Sequence, residues 1–314
     1  MSLLTGLYGA VVSGRNRLYD GRVLKAHKLR GQVVSVGNIS AGGAGKTPFV
    51  ILLGGLLQQR GVAFDVLSRG YGRKTKGVLP VDSNGSPEEF GDEPLLIARR
   101  LGCPVIVGES RFRAGLLAER KFGPQLHLLD DGFQHRSLAR DFDIVLLTPE
   151  DLSDDLLPRG RLREPLSSLR RASAVVLSGD LDVSRLPIPL GPVWRVRRDV
   201  QMGSSFSRPV VFCGIARPQK FLQHLRSKGM VPVAEKFYPD HHAYSDADVE
   251  ELLRLKTESR ADGFITTEKD AVNLESKISR LNPVALARVT MEVVEPADAI
   301  DSMLRLIDPH SERA

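Results

Sequence analysis

The sequence predicts an α/β protein: a parallel sheet covered by helices on both faces, followed by a second, smaller α/β unit. Three observations predict it. Short, near-continuous runs of β-branched and aliphatic residues recur from residue 32 onward, too short for helices and too apolar for exposed strands. Segments of helical length separate them. The same alternation restarts after residue 205, beyond a stretch rich in Pro and Gly at 186–191.

Taken in order, the first unit has expected strands at 32–37, 62–68, 104–108, 126–129, 144–148 and 174–178, and helices at 46–59, 93–101, 111–121 and 164–171. The second has strands at 209–213, 231–234 and 263–266 and a closing helix at 298–307. A strand at 194–200 links the units, and 285–295 reads as its returning partner. The predicted organisation is therefore an amino-terminal segment at 1–30, a larger domain at 31–190, a linker at 191–205 and a smaller domain at 206–314, with a cleft between the domains.

Composition narrows the function. The chain has 314 residues, 42% of them hydrophobic, enough for sizeable cores. Its two cysteines, Cys103 and Cys213, lie in apolar strand-like runs and form neither a disulfide framework nor a metal-ligand set, which suits a reducing compartment. No apolar run approaches the ~20 residues of a membrane-spanning helix, and the amino terminus lacks the pattern of a secretory signal. The net charge of +6 is concentrated in residues 1–30, where Arg15, Arg17, Arg22, Lys25, Lys28 and Arg30 face only Asp20. The remainder is close to neutral, which argues against a nucleic-acid partner. In that segment Leu3, Leu4, Leu7, Tyr8, Val11, Val12, Leu18 and Tyr19 recur at roughly helical spacing. Such an amphipathic helix either packs on its own domain or lies in a membrane interface, its cations among anionic headgroups.

The strongest chemical signal is Ser40-Ala41-Gly42-Gly43-Ala44-Gly45-Lys46-Thr47, between an apolar strand and a helix. In this arrangement backbone N–H groups converge on nucleotide phosphates and the positive helix end reinforces them. Lys46 reaches the terminal phosphates, and the Thr47 hydroxyl is placed for Mg²⁺. Ser40 stands where the usual pattern has Gly. The larger domain is thus P-loop NTPase-like, and the expected ligands are ATP and Mg²⁺. Two P-loop classes fit poorly. MinD-like ATPases carry a second lysine at the place of Ala41, and GTPases read guanine with a lysine one residue further from the aspartate than in Thr267-Glu268-Lys269-Asp270.

The acids come next. Asp130 and Asp131 end an apolar strand, where P-loop enzymes hold Mg²⁺, although an Asp-Gly turn also explains them. Asp92, before Glu93 and Pro94, reads as a helix N-cap or as the group that accepts a hydroxyl proton. His241 and His242 read as a surface pair or as metal ligands. The basic loops Arg69-Gly70-Tyr71-Gly72-Arg73-Lys74 and Arg159-Gly160-Arg161-Leu162-Arg163 could hold a substrate phosphate or be solvated.

These pieces, in this order, resemble the tetraacyldisaccharide 4′-kinase family. The likeness rests on Val36-Gly37-Asn38 with the loop through Pro48, Arg69-Gly70-Tyr71-Gly72, Gly91-Asp92-Glu93-Pro94 and Asp130 to His135. It continues through Pro158 to Pro165, Asp240-His241 and Thr267 to Val272. The family's loop is loose at the places of Ser40 and Ala41. The resemblance implies a lipid kinase that moves the ATP γ-phosphate to the 4′-hydroxyl of tetraacyldisaccharide 1-phosphate in lipid A biosynthesis. It also implies attachment to the cytoplasmic face of the inner membrane through the amino-terminal helix; separately, a monomer is expected. Asp92 matches the catalytic base and His241 its partner, while Asp130, Asp131 and Glu164 match acids that handle Mg²⁺ and the γ-phosphate. Arg69, Tyr71, Arg73 and Lys74 become candidates for holding the substrate's 1-phosphate. A soluble P-loop kinase for a small molecule, or a nucleotide-dependent switch such as a metallochaperone ATPase, would share the loop without the lipid.

Overall fold

A computed structural model describes residues 3–178, 191–204 and 206–307. Helix α1 (Leu3–Asp20) precedes β1 (Val33–Asn38), α2 (Lys46–Gln59), β2 (Phe64–Ser68), β3 (Leu79–Pro80), α3 (Pro87–Phe90), α4 (Asp92–Leu101), β4 (Val105–Val107), α5 (Arg111–Phe122), β5 (Leu126–Asp130), β6 (Phe142–Leu147) and β7 (Ala174–Ser178). Then follow β8 (Val193–Met202), β9 (Pro209–Cys213), α6 (Pro218–Ser227), β10 (Ala234–Phe237), α7 (Asp246–Glu258), β11 (Gly263–Thr267), α8 (Glu268–Leu274), β12 (Val284–Glu295) and α9 (Ala299–Ile307).

Among the described residues, twelve strands share one sheet, ordered β10-β9-β11-β12-β8-β7-β6-β1-β5-β2-β4-β3. Of the pairings between these strands, two are antiparallel: β3 with β4 at one edge, and β8 with β12 in the middle. This central ribbon positions the site. β7 pairs with the start of β8, Val193 to Val196, and β11 with the start of β12, Val284 to Ala287. Within the ribbon Ala287 faces Met202 and Glu295 faces Arg195, so the two parallel groups sit at opposite ends of it. From Val196 to Met202 the ribbon runs about 20 Å at ~3.3 Å per residue. Because the ribbon reverses chain direction, the carboxyl ends of both parallel groups point into this gap, where α/β proteins build their sites.

Each parallel group is covered on both faces, as its apolar strands require. On one face of the first, Phe49, Val50 and Leu53 of α2 pack over Val34, Val36 and Trp194. On the other, Ala114 and Ala118 of α5 cover Leu67, Ile106 and Leu129. Around β9–β11, Phe221 and Leu225 of α6 take one face, and Val249 and Leu252 of α7 the other.

Four expectations change. α9, assigned with the smaller unit, packs Ile300, Met303 and Ile307 into the core beneath α2. The strand expected at 231–234 is Ala234–Phe237, because Pro232 has no N–H to give a ladder. The helix expected at 164–171 is a 3₁₀ segment, Leu166–Arg171: Pro165 holds its predecessor out of the helical region. Cys103 lies in a turn ahead of β4 and not in a strand; Cys213 ends β9, buried. Of the stretch at 186–191, residues 186–190 lie outside the described residues.

At the end of the sheet remote from the gap, His127 and Asp65 are fully buried and meet with Nδ1 2.9 Å from the carboxylate, which also accepts from Gln125 at 3.0 Å. Asp65→Ala leaves the ring's Nδ1 without its partner, with only Glu119 3.6 Å from the other nitrogen, and should cost about 3 kcal/mol of stability. Chemical denaturation reads this loss, with no effect on turnover expected so far from the cleft.

Candidate active site

The gap is a cleft of about 1330 Å³ lined from both sides. β1 enters it at Asn38, and the loop to α2 turns at Gly42, Gly43 and Gly45, whose φ values are 70°, 69° and 86°. A side chain at Gly43 would come within 2.6 Å of Arg217 Nε, and one at Gly45 within 2.7 Å of Met291 Cε. The positive φ values call for glycine, while the flexible Arg217 and Met291 side chains close over the loop from the opposite side. Lys46 opens α2, donating to Asn38 Oδ1 at 3.2 Å and lying 3.5 Å from Asp131. Ala41, Ala44 and Thr47 line the cleft with the glycines. Ser40 does not: it is buried against Leu162 in an isolated bridge, and the Ala41 N–H is spent on the Arg161 carbonyl at 2.7 Å. The amides free to meet a phosphate begin at Gly42.

Both acids after β5 reach the cleft, with opposite electrostatics. Asp130 is buried, accepts from Ser68 Oγ at 2.9 Å, and has its Oδ1 without a partner. Burial, then the charges of Glu93 and Asp131, push its carboxyl up to about 7. Asp131 is also driven up by burial, but Lys46 and the two-pronged Arg163, at 2.8 and 3.0 Å, outweigh this and hold it well below the usual range. A buried carboxyl oxygen lacking a donor, beside a P-loop threonine and a second acid, is a donor set suited to a divalent cation. Glu164 is placed elsewhere. Its carboxylate is satisfied by Arg171 at 2.9 Å, Asn16 at 2.6 Å and Gln134 at 3.1 Å, and it does not line the cleft.

The basic loop after β2 divides. Arg69 and Tyr71 line the cleft. Arg73 turns away to Glu109 at 2.7 Å and to the Gly77 carbonyl, and Lys74 pairs with Glu88 at 2.6 Å. Arg111 takes the cleft position instead; burial lowers its guanidinium to about 10 despite Asp130 and Asp131. One signal could have found it: a cation in the first turn of a helix opposes the helix dipole.

Asp92 is not a cap. Gly91 holds the N-cap position, and Asp92 gives the helix only its bond from the adjacent Glu93 N–H at 2.8 Å. Its carboxylate, buried, instead meets His241 Nδ1 at 2.9 and 3.0 Å across the gap and accepts from Asn273 at 3.1 Å. Burial raises Asp92, but the His241 bond and the Lys269 charge prevail and lower it. The two histidines part company. His241, in a left-handed turn at φ 60°, faces Asp92, whereas His242 stacks on Tyr238 and contacts Asp248 at 3.2 Å. Among the described residues no group of three or more His, Cys, Asp or Glu is arranged to hold a metal. From the second side Arg198, Arg217, Lys220 and Lys269 also reach the cleft. Sequence reasoning assigned none of them a role in the site.

A glycine cradle at the start of a helix, with a carboxylate of the same half paired to an imidazole from the opposite half of the sheet, defines a P-loop phosphotransferase. A model of the tetraacyldisaccharide-1-P 4′-kinase family matches residues 1–308. The chain belongs to that family. It is 50% identical over 318 residues to the tetraacyldisaccharide 4′-kinase of Koribacter versatilis, covering 98% of this chain and 99% of that one. With the Aquifex aeolicus tetraacyldisaccharide 4′-kinase it shares 40% identity over 287 residues, covering 86% and 87%. A crystal structure of LpxK from Aquifex aeolicus in complex with ATP superposes with a TM-score of 0.79 at 34% identity, covering 97% of each chain.

Proposed function

We propose that the cleft transfers the γ-phosphate of ATP to the 4′-hydroxyl of a tetraacyldisaccharide 1-phosphate, with Asp92 as the base. The observation that supports this is the Asp92–His241 contact, in which a buried carboxylate with a lowered pKa, from the half that bears the phosphate loop, meets a histidine lining the cleft from the other half. The amides from Gly42 onward, with Lys46, hold the β- and γ-phosphates. The sugar oxygen forms its bond to the γ-phosphorus as the bond to the β-phosphate oxygen breaks. ADP leaves with that electron pair, and the hydroxyl proton passes to Asp92. Thr47, Asp130 and Asp131 would hold Mg²⁺, which when bound neutralises phosphate charge. Arg69 and Arg111 supply cations for the substrate's own phosphate. Closure of the gap, with the ribbon as hinge, would exclude water and spare ATP from hydrolysis.

The amino-terminal helix supports a place at the inner-membrane surface. It is tied to the body by its polar side: Tyr8 to the Arg163 carbonyl at 3.0 Å, Asn16 to Glu164 at 2.6 Å and Arg136 to Asp20 at 2.7 Å. Leu3, Leu4, Leu7 and Val11 stand outward, 62–90% exposed. Packing on its own domain does not account for that stripe; an acyl-chain layer would. No helix among the described residues is long and apolar enough to cross a membrane.

Incubation with γ-labelled ATP and the tetraacyldisaccharide 1-phosphate should give a labelled lipid. No labelled lipid across several detergents would end the reading. Replacing Leu4, Leu7 and Val11 by Ser should weaken binding to anionic phospholipid vesicles by on the order of 10²-fold or more, each side chain having contributed about 1.5–3 kcal/mol of burial. Nucleotide binding should be unchanged. Undiminished vesicle sedimentation would remove the helix from the membrane.

A further inference from the structure

The sequence Thr267-Glu268-Lys269-Asp270 lacks the spacing of a guanine-reading motif and has no part in the transfer described so far. Its residues lie where β11 ends and α8 begins, at the edge of the cleft. Two are anchors. Thr267 caps α8 by accepting the Asp270 N–H at 3.1 Å, and the buried Asp270 carboxylate accepts the Gly214 N–H at 2.7 Å and the Tyr244 hydroxyl at 2.8 Å. Glu268 joins the halves, meeting Arg100 of α4 at 2.6 Å and Arg288 of β12 at 2.8 Å. Held in this way, α8 delivers the Lys269 ammonium into the cleft. It stands 2.9 Å from Asp240, 3.3 Å from His241 Nε2, and 3.7 Å from both Asp92 and Glu93.

We propose that Lys269 is the positioning residue of the Asp92–His241 pair: its ammonium donates to His241 Nε2, so the ring carries its hydrogen on Nδ1 and presents it to Asp92. The argument is one of donors and acceptors. An ammonium has hydrogens to give and no lone pair to accept with. A ring nitrogen 3.3 Å from it is therefore held as an acceptor. On the other side of the ring a carboxylate can only accept, so Nδ1 must donate. The two neighbours together select one tautomer of the neutral ring.

Four charged groups stand around the ring and its lysine. From α4 come Asp92 and Glu93, from α8 Lys269, from the ring's own loop Asp240, and the Tyr71 ring lies 5.1 Å away. Asp240, 3.7 Å from Nε2, would draw a proton there, but Lys269 engages that carboxylate more closely. Burial disfavours the Lys269 charge, yet Asp92, Glu93 and Asp240 outweigh it and raise its pKa, so the ammonium persists. A fixed cation here resists protonation of Asp92 and of His241 alike. The base is thereby kept anionic.

This inference rests on Asp92 being the base, and its test separates the two. Lys269→Met and Lys269→Arg in the full chain are compared by kcat/KM for the lipid against pH at saturating MgATP. Losing the cation raises the proton affinity of both partners, so Lys269→Met should move the acid limb upward by about one pH unit. It should also lower kcat/KM at pH 7 about tenfold with KM for ATP unchanged. Lys269→Arg keeps the charge and should keep the limb in place. In the unaltered protein, long-range ¹⁵N correlation spectra of the His241 ring, assigned by the resonance lost in His241→Gln, should show hydrogen on Nδ1 at pH 8. A uniform loss in Lys269→Met with an unmoved limb overturns the proposal. So does an Nε2–H ring or an imidazolium at pH 8, a readout that stands even where Lys269→Met fails to fold. If Asp92→Asn retains turnover, the base assignment fails; if it is inactive and the limb still does not move, only the role of Lys269 fails.

Discussion

Asp92→Asn should lower turnover by about 10²-fold or more while the protein melts near its usual temperature. The amide has the carboxylate's shape, so it keeps an oxygen for the Glu93 N–H and for His241 Nδ1. Gly91 is the N-cap, so α4 loses no cap bond. What disappears is a group able to take a proton from a sugar hydroxyl. Phosphorylation of the lipid and a thermal melt are measured on the same preparation. Full turnover with a lowered melting temperature would make Asp92 a structural tie between the halves.

Lys46→Ala should reduce transfer by about 10²–10³-fold, the usual consequence of losing a donor aimed at developing charge. The ammonium stands at the start of α2, directly after the loop glycines, and lines the cleft. Its removal should leave the local structure standing, because Arg163 grips both Asp131 oxygens without it. Labelled-phosphate transfer at saturating ATP reads the effect. Near-normal turnover would contradict the assignment of residues 42–47 to the phosphates.

Much of the cleft's lining was legible because it is local. Strand, glycine turn, lysine and threonine follow one another within ten residues, and the physics of a phosphate cradle needs nothing from further away. Asp130 and Asp131 were legible for the same reason, as acids ending an apolar strand. Less was legible where a residue's surroundings depend on a distant partner. Arg73 and Lys74 look like Arg69 in sequence, but Glu109 and Glu88 claim them. Glu164 reads as a metal ligand until Arg171 and the amino-terminal helix are seen to satisfy it.

By itself, then, the sequence determined the covered parallel strands, the phosphate loop and the amphipathic helix, each encoded by periodicity or by a short run of residue types. Only the tertiary structure decided which way Asp92 faces, which of two adjacent histidines meets it, and that Lys269 stands behind that histidine. Asp92 and His241 are 149 positions apart in the chain. They meet because one antiparallel ribbon reverses direction and turns the carboxyl ends of two parallel strand groups toward each other, a pairing that no local pattern encodes.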